Sequence, residues 1–327
     1  MSDTEPETSA PEVTEGAAVP ESAGEAMAEP RSVDEELKDA TRDGDGIFGR
    51  GEALLSRQAA HIASEQRASV IILAGAPNSG KTTLLAALYE RFGLGKLAGH
   101  LFLGSRTLHG FEMRCHRSHF GKGPGSGAEG HTAGDAPPWL HLRTARQETP
   151  HQIHELLLGD FSGDHHFTPL ANGTMKPSQF PALRRADHLC VAISGGALAD
   201  PRQRNAEERQ LTDLLDALLA DPDGIAAPSA ISFVVTKWDL VHAAGREGRD
   251  VVERLFEALR AKLPSDGRNN EVAYIETAAR STVSDLPIGY GIGDLLSRWT
   301  DRPALHITHV VPLASPTSFF DRFRAAP

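Results

Sequence analysis

An α/β fold, with a mostly parallel sheet wound by helices on both faces, is predicted by three observations on this 327-residue chain. Apolar runs of strand length alternate with stretches of helical period. The first run feeds a glycine-rich loop that opens a helix. Polar, chemistry-bearing residues then recur just after the later runs, at the strand ends where open parallel sheets hold ligands.

Taken in order, Phe48, Leu54, Leu55, Ala59 and Ile62 mark an amphipathic lead-in helix, followed by a buried strand at 70–74 and an Ala/Leu-rich helix at 83–92. Further strands are expected at about 140–144, 155–159, 188–194, 231–235 and 271–275. Helical spacing recurs in Leu211, Leu214, Leu215, Leu218 and Leu219, in Val251, Val252, Leu255, Phe256 and Leu259, and in Ile292, Leu295, Leu296 and Trp299. There is no internal repeat. The segment 93–138 reads as one long insertion between the first helix and the second strand, with a Gly-rich, mobile centre from Gly121 to Gly130.

Residues 75–82 read Gly-Ala-Pro-Asn-Ser-Gly-Lys-Thr, a phosphate-binding loop in its required strand-to-helix setting. Gly75 and Gly80 let the backbone wrap, so that N–H groups of Asn78, Ser79, Gly80, Lys81, Thr82 and Thr83 point at the phosphates. Lys81 reaches the β- and γ-phosphates, the Thr82 hydroxyl is placed to ligate Mg²⁺, and the helix start adds its positive dipole end. The downstream motifs name the base. Thr236-Lys237-Trp238-Asp239 ends the run 231–235. A carboxylate at Asp239 accepts from both N1–H and the exocyclic amine of guanine, donors that adenine lacks there, and the Lys237 stem packs along the ring. After 272–275 come Ala278, Ala279 and Arg280, small enough at first to let a backbone N–H approach guanine O6. Alone, Thr-Lys-x-Asp reads as a charged turn; three elements in this order read as a guanine-nucleotide site.

With these residues in hand, the chain resembles the translation-factor-related (TRAFAC) class of P-loop GTPases over roughly residues 68–300, which implies a Ras-like G domain, GTP or GDP, and Mg²⁺. The resemblance makes Asp160-Phe161-Ser162-Gly163 the Asp-x-x-Gly element, with Asp160 holding Mg²⁺ through water and the Gly163 N–H sensing the γ-phosphate. Thr236 departs from the usual Asn of the base motif, and Ala278-Ala279-Arg280 from the commoner Ser-Ala-Lys. The run 101–114, the strand 140–142 and Asp160 to Asp164 look like the bacterial "double-GTPase" branch, whose members are thought to act in pairs or in multi-protein systems. That implies a protein partner, with a second GTPase among the candidates. Thr132 is the natural switch threonine for Mg²⁺. Asp164 stands where many relatives carry a neutral water-orienting residue, and His165-His166 follow where such a group belongs. Arg106, Arg114 and Arg117 are candidate arginine fingers in cis. Asn78 stands where GTPases similar in this loop help to hold K⁺. Together these imply a Mg²⁺-dependent, slowly hydrolysing GTP switch. A P-loop ATPase or kinase, and a nucleotide-binding scaffold without turnover, are the alternatives.

The formal charge of -11 is uneven: residues 1–45 hold 14 of the 44 acidic and 3 of the 33 basic residues, so the rest is neutral. The acidic segment, poor in large apolar residues, is expected to be a disordered tail. The domain is expected to span 46–300, with a Pro-punctuated tail at 301–327. A neutral body argues against non-specific nucleic-acid binding. No run reaches the ~20 apolar residues of a membrane span, and no signal peptide is evident, so a cytoplasmic protein is expected. Cys115 and His119 stand one helical turn apart, but no second pair with zinc spacing accompanies them.

Overall fold

In the computed structural model, the described residues are 51–66, 68–120, 139–221, 230–263 and 272–301. The strand before the phosphate loop, β1 (Ser69–Ala74), is buried at every position but its first. Its place in the sheet explains that. The described residues form one seven-stranded sheet in the order β2-β3-β4-β1-β5-β6-β7, with β1 at the centre.

The remaining strands are β2 (His100–Gly104), β3 (Trp139–Arg146), β4 (Ile153–Gly159), β5 (His188–Ser194), β6 (Ala230–Thr236) and β7 (Val272–Glu276). Pairings from β4 through β1, β5 and β6 to β7 are parallel, whereas β3 runs antiparallel to β4 and β2 antiparallel to β3. All six strands expected from the sequence are present. The seventh, β2, lies on a sheet edge and leaves Phe102 and Leu103 exposed, so its apolar residues form no buried run.

Period-two alternation gives each face its own core. On one face Val70, Ile72 and Ala74 of β1 join α1 (Ser56–Gln66) and the apolar stripes of two later helices. On the other, Ile71 and Leu73 pack against α2 (Lys81–Gly93) and the last helix. The sheet is therefore doubly wound.

The insertion is only partly a loop. Residues 93–120 hold β2 and a 13-residue helix, α3 (Leu108–Phe120), which corrects the expectation of one long irregular segment. The buried side of α3 carries Gly110, Phe111 and Arg114, so it shows almost no apolar period. It packs closely nonetheless. Phe111 stacks on Tyr89 of α2 with centroids 5.2 Å apart. A Cβ on Gly110 would lie 2.2 Å from the Glu52 carbonyl oxygen, which requires glycine where the helix crosses the chain before α1. The Gly121–Gly130 segment, Thr132, Phe48, the acidic tail and residues 302–327 lie outside the described residues.

Following β4 come a π-helical turn (Gly163–Phe167), α4 (Thr168–Ala171), a 3-10 turn (Pro177–Gln179) and α5 (Pro181–Arg185). Next are α6 (Gly195–Ala199) and α7 (Arg204–Ala220) after β5, and α8 (Trp238–Ala243) and α9 (Gly245–Lys262) after β6. The helix α10 (Ile292–Thr300) buries Ile292, Leu295, Leu296 and Trp299, as its spacing predicts.

Candidate nucleotide site

At the C-terminal ends of β1, β4 and β6, one cleft of about 260 Å³ is lined by Asn78, Gly80, Lys81, Thr82, Thr83, Ser162, Gly163 and Lys237, with Pro77 and Phe161. The loop geometry follows from its residue types. Gly75 (φ 142°) and Gly80 (φ 91°) take conformations that L side chains rarely adopt, and a Cβ on Gly75 would sit 2.4 Å from the Ala192 carbonyl oxygen. Asn78 is also left-handed (φ 62°), which Asn tolerates better than most residues.

Lys81 is buried and donates to the carbonyl oxygens of Gly75 and Ala76, both at 2.9 Å, and to Ser79 Oγ at 3.3 Å. Burial pulls its pKa down to about 8, outweighing the opposing pull of Asp160, Asp164 and Glu207. The Thr82 hydroxyl lies 3.0 Å from Asp160 Oδ1 and 3.3 Å from Oδ2. The sequence separates these groups by 78 residues, and the β1–β4 pairing joins them. Gly163 abuts the loop, where a Cβ would lie 2.6 Å from Pro77 N. The approach is held by aromatic packing, with Phe161 edge-on to Trp139 at 5.3 Å and to Phe180 at 4.7 Å. Asp164 and His165 are exposed at the start of the π turn, while Phe167 is buried.

At the base-motif strand, Thr236 Oγ1 donates to the Ser79 carbonyl oxygen at 2.6 Å and lies 3.1 Å from that of Ile193. This hydroxyl therefore ties β6 to the phosphate loop. Lys237 is left-handed (φ 51°) and donates from Nζ to the Asn78 carbonyl oxygen at 2.9 Å. Asp239 is buried, and its Oδ2 accepts from Thr282 N at 3.1 Å and Thr282 Oγ1 at 2.8 Å. Those bonds fix the carboxylate at the loop after β7. In that loop the Ala278 N–H is engaged by the Tyr290 carbonyl oxygen at 3.1 Å, and Ala279 packs on the α2 face. Arg280 turns toward α3, donating to Glu90 Oε1 at 3.0 Å, Ser118 Oγ at 2.6 Å and His119 Nδ1 at 2.9 Å. The backbone of Arg106, in the turn before α3, donates to His141 Nδ1 at 3.1 Å.

Two more residues join the site: Arg114, one of the candidate fingers, and Glu207, which no sequence motif marks. Arg114 of α3 donates to Asp160 Oδ2 at 2.7 Å. Glu207 of α7 accepts from Ser194 N at 2.7 Å; burial pushes its carboxyl up, against that bond and the charges of Lys237 and Lys81. Glu207 has no sequence signal, being one charged residue on a helix; Arg114, a candidate finger in cis from the sequence, is engaged by Asp160.

A family model matches residues 69–300, the model named Double-GTPase 2. The chain belongs to the Double-GTPase 2 family. Membership supports GTP binding and implies GTP or GDP, usually with Mg²⁺. The donor set fits that ion: a hydroxyl and a carboxylate, both hard oxygen ligands, brought together at Thr82 and Asp160. Among the described residues, no group of three His, Cys, Asp or Glu side chains is placed to hold a metal of its own, and no helix is long and apolar enough to cross a membrane.

No curated protein matches this Double-GTPase 2 chain. Among solved structures, it is similar to a bacterial selenocysteine-specific elongation factor EF-Sec (14% identity, TM-score 0.37, 70% of this chain, 28% of that one). A second is translation elongation factor SelB from Methanococcus maripaludis, solved with the GTP analogue GppNHp (14%, 0.35, 75% and 35%). A third is a putative nucleolar GTP-binding protein 1 from Plasmodium falciparum (10%, 0.35, 71% and 84%). The chain thus spans about a third or less of either elongation factor.

Proposed function

We propose that this protein binds GTP with Mg²⁺, hydrolyses it slowly, and uses the nucleotide state to switch a contact with a protein partner, a second GTPase among the candidates. The observation that carries the reading is the meeting of Lys81, Thr82, Asp160 and Gly163 in one cleft that also reaches Lys237 of the base motif. Lys81 exchanges its bonds to Gly75 and Ala76 carbonyls for phosphate oxygens, and the Gly163 N–H senses the γ-phosphate. Asp239, held by Thr282, accepts from guanine, with the Ala279 N–H meeting O6. When bound, Mg²⁺ offsets charge on the β- and γ-phosphate oxygens.

Slow hydrolysis follows from Asp164 beside Gly163, because an exposed acid is a poor neutral orienter of water; His165 is the adjacent alternative. K⁺ held with Asn78 would supply the missing positive charge. The switch is assigned to residues about 105–135 and 160–180, of which 121–135 lie outside the described residues; α3 meets Asp160 through Arg114. Phosphate release in a single turnover tests the reading. Release should be slow, faster in K⁺ than in Na⁺, and lost in Lys81→Ala; GTP bound without release in either salt would favour a scaffold.

A further inference from the structure

Arg114 reaches the metal-binding carboxylate from α3, outside every nucleotide motif. Its Nε donates to Asp160 Oδ2 at 2.7 Å, and its Nη1 to the Gly110 carbonyl oxygen one turn back at 3.1 Å. The two side chains are 10% and 1% exposed, so water screens the pair little. The carboxylate has two partners: Oδ2 accepts from the guanidinium, and the Thr82 hydroxyl lies nearer Oδ1, at 3.0 Å, than Oδ2, at 3.3 Å. The helix bearing the arginine is fixed at this end: Gly110 N donates to the Gly51 carbonyl oxygen at 3.0 Å, with no room for a Cβ.

We propose that Arg114 is a positioning residue that sets both the aim and the effective charge of Asp160 toward the divalent cation. By holding Oδ2 it turns Oδ1 to Thr82; by its own charge it repels the cation and weakens the grip of the carboxylate. Chelation stays loose, and the cation leaves more readily than it would from an uncompensated Asp160. The inference rests on the Mg²⁺-nucleotide reading above.

The test titrates MgCl₂ against a fluorescent GDP analogue bound to the full chain. In R114Q the Mg²⁺ concentration at half-maximal binding should fall by roughly tenfold, as removal of a unit charge beside the cation implies. In R114K, which keeps the charge, it should return to within about twofold of the parent. An unchanged or higher midpoint in R114Q overturns the proposal. A parent chain that binds the analogue regardless of Mg²⁺ overturns the Mg²⁺ part of the reading above, and one that does not bind it overturns the nucleotide reading itself. An unpaired buried Asp160 can destabilise R114Q, so melting with the analogue is also measured in MgCl₂ and in EDTA. The rise in melting temperature caused by Mg²⁺ should be larger in R114Q than in the parent. An equal or smaller rise, or a chain folded in neither condition, contradicts the proposal.

Discussion

Lys81 carries the sharpest consequence at the scale of one residue. Its pKa of about 8 lies below the unfolded value of 10.5 because burial disfavours the ammonium. The native chain then binds fewer protons than the unfolded one between those values, so this group's contribution to stability rises with pH across that window. Nucleotide binding has the opposite sign. Phosphate oxygens favour the charged lysine, so binding takes up a proton above pH 8. Affinity for GDP should be level from about pH 6.5 to 7.5 and fall by up to tenfold per unit above 8, and isothermal titration in buffers of different ionisation heat should show the uptake. Affinity and proton uptake that do not change from pH 7 to 9 would mean that the phosphates do not meet Lys81. The loop residues were legible because glycines and a lysine at fixed spacing encode one backbone shape. The pairing of Arg114 with Asp160, Glu207 and the turn of Arg280 toward Glu90 were not, since each depends on which helix lies beside the site.

Among elements, α3 matters most. Its inner end meets Asp160 through Arg114, and its outer end meets the base loop through Ser118, His119 and Arg280. Both contacts require its close seat on residues 51–54. Gly110→Ala would drive a methyl group into the Glu52 carbonyl, an overpacking that typically costs about 1–3 kcal/mol. A lowered urea midpoint is expected, together with weaker nucleotide binding, because the shifted helix moves Arg114. A midpoint equal to that of the parent would show that α3 is not seated as described. The parallel strands β1, β4, β5 and β6 were legible because buried parallel strands are continuous apolar runs, and the antiparallel β3 because Trp139, Leu140 and Leu142 still mark it. The edge strand β2 and the helix α3 were not: exposed Phe102 and Leu103 blur the one, and a buried face of glycine, phenylalanine and arginine hides the period of the other.

Across the described residues, two faces of packed helices hold the strand ends of β1, β4, β6 and β7 in register, and the groups assigned to the nucleotide follow those ends. That arrangement gives the fold class and the phosphate site directly from sequence order. In the proposed reading, choice of base rests with Asp239, whose carboxylate accepts from Thr282, and this choice separates a GTPase from a P-loop ATPase or kinase. Displacement of a fluorescent GDP analogue by GTP, GDP, ATP and xanthosine diphosphate, from the parent chain and from Asp239→Asn, measures it most directly. GTP and GDP should displace the probe from the parent at concentrations at least ~100-fold below ATP, because adenine offers the carboxylate neither of the two donors that guanine does. Asp239→Asn should lose that preference and gain affinity for the xanthine nucleotide. Displacement by ATP as effective as by GTP, or a base preference unchanged in Asp239→Asn, would contradict the guanine-nucleotide assignment.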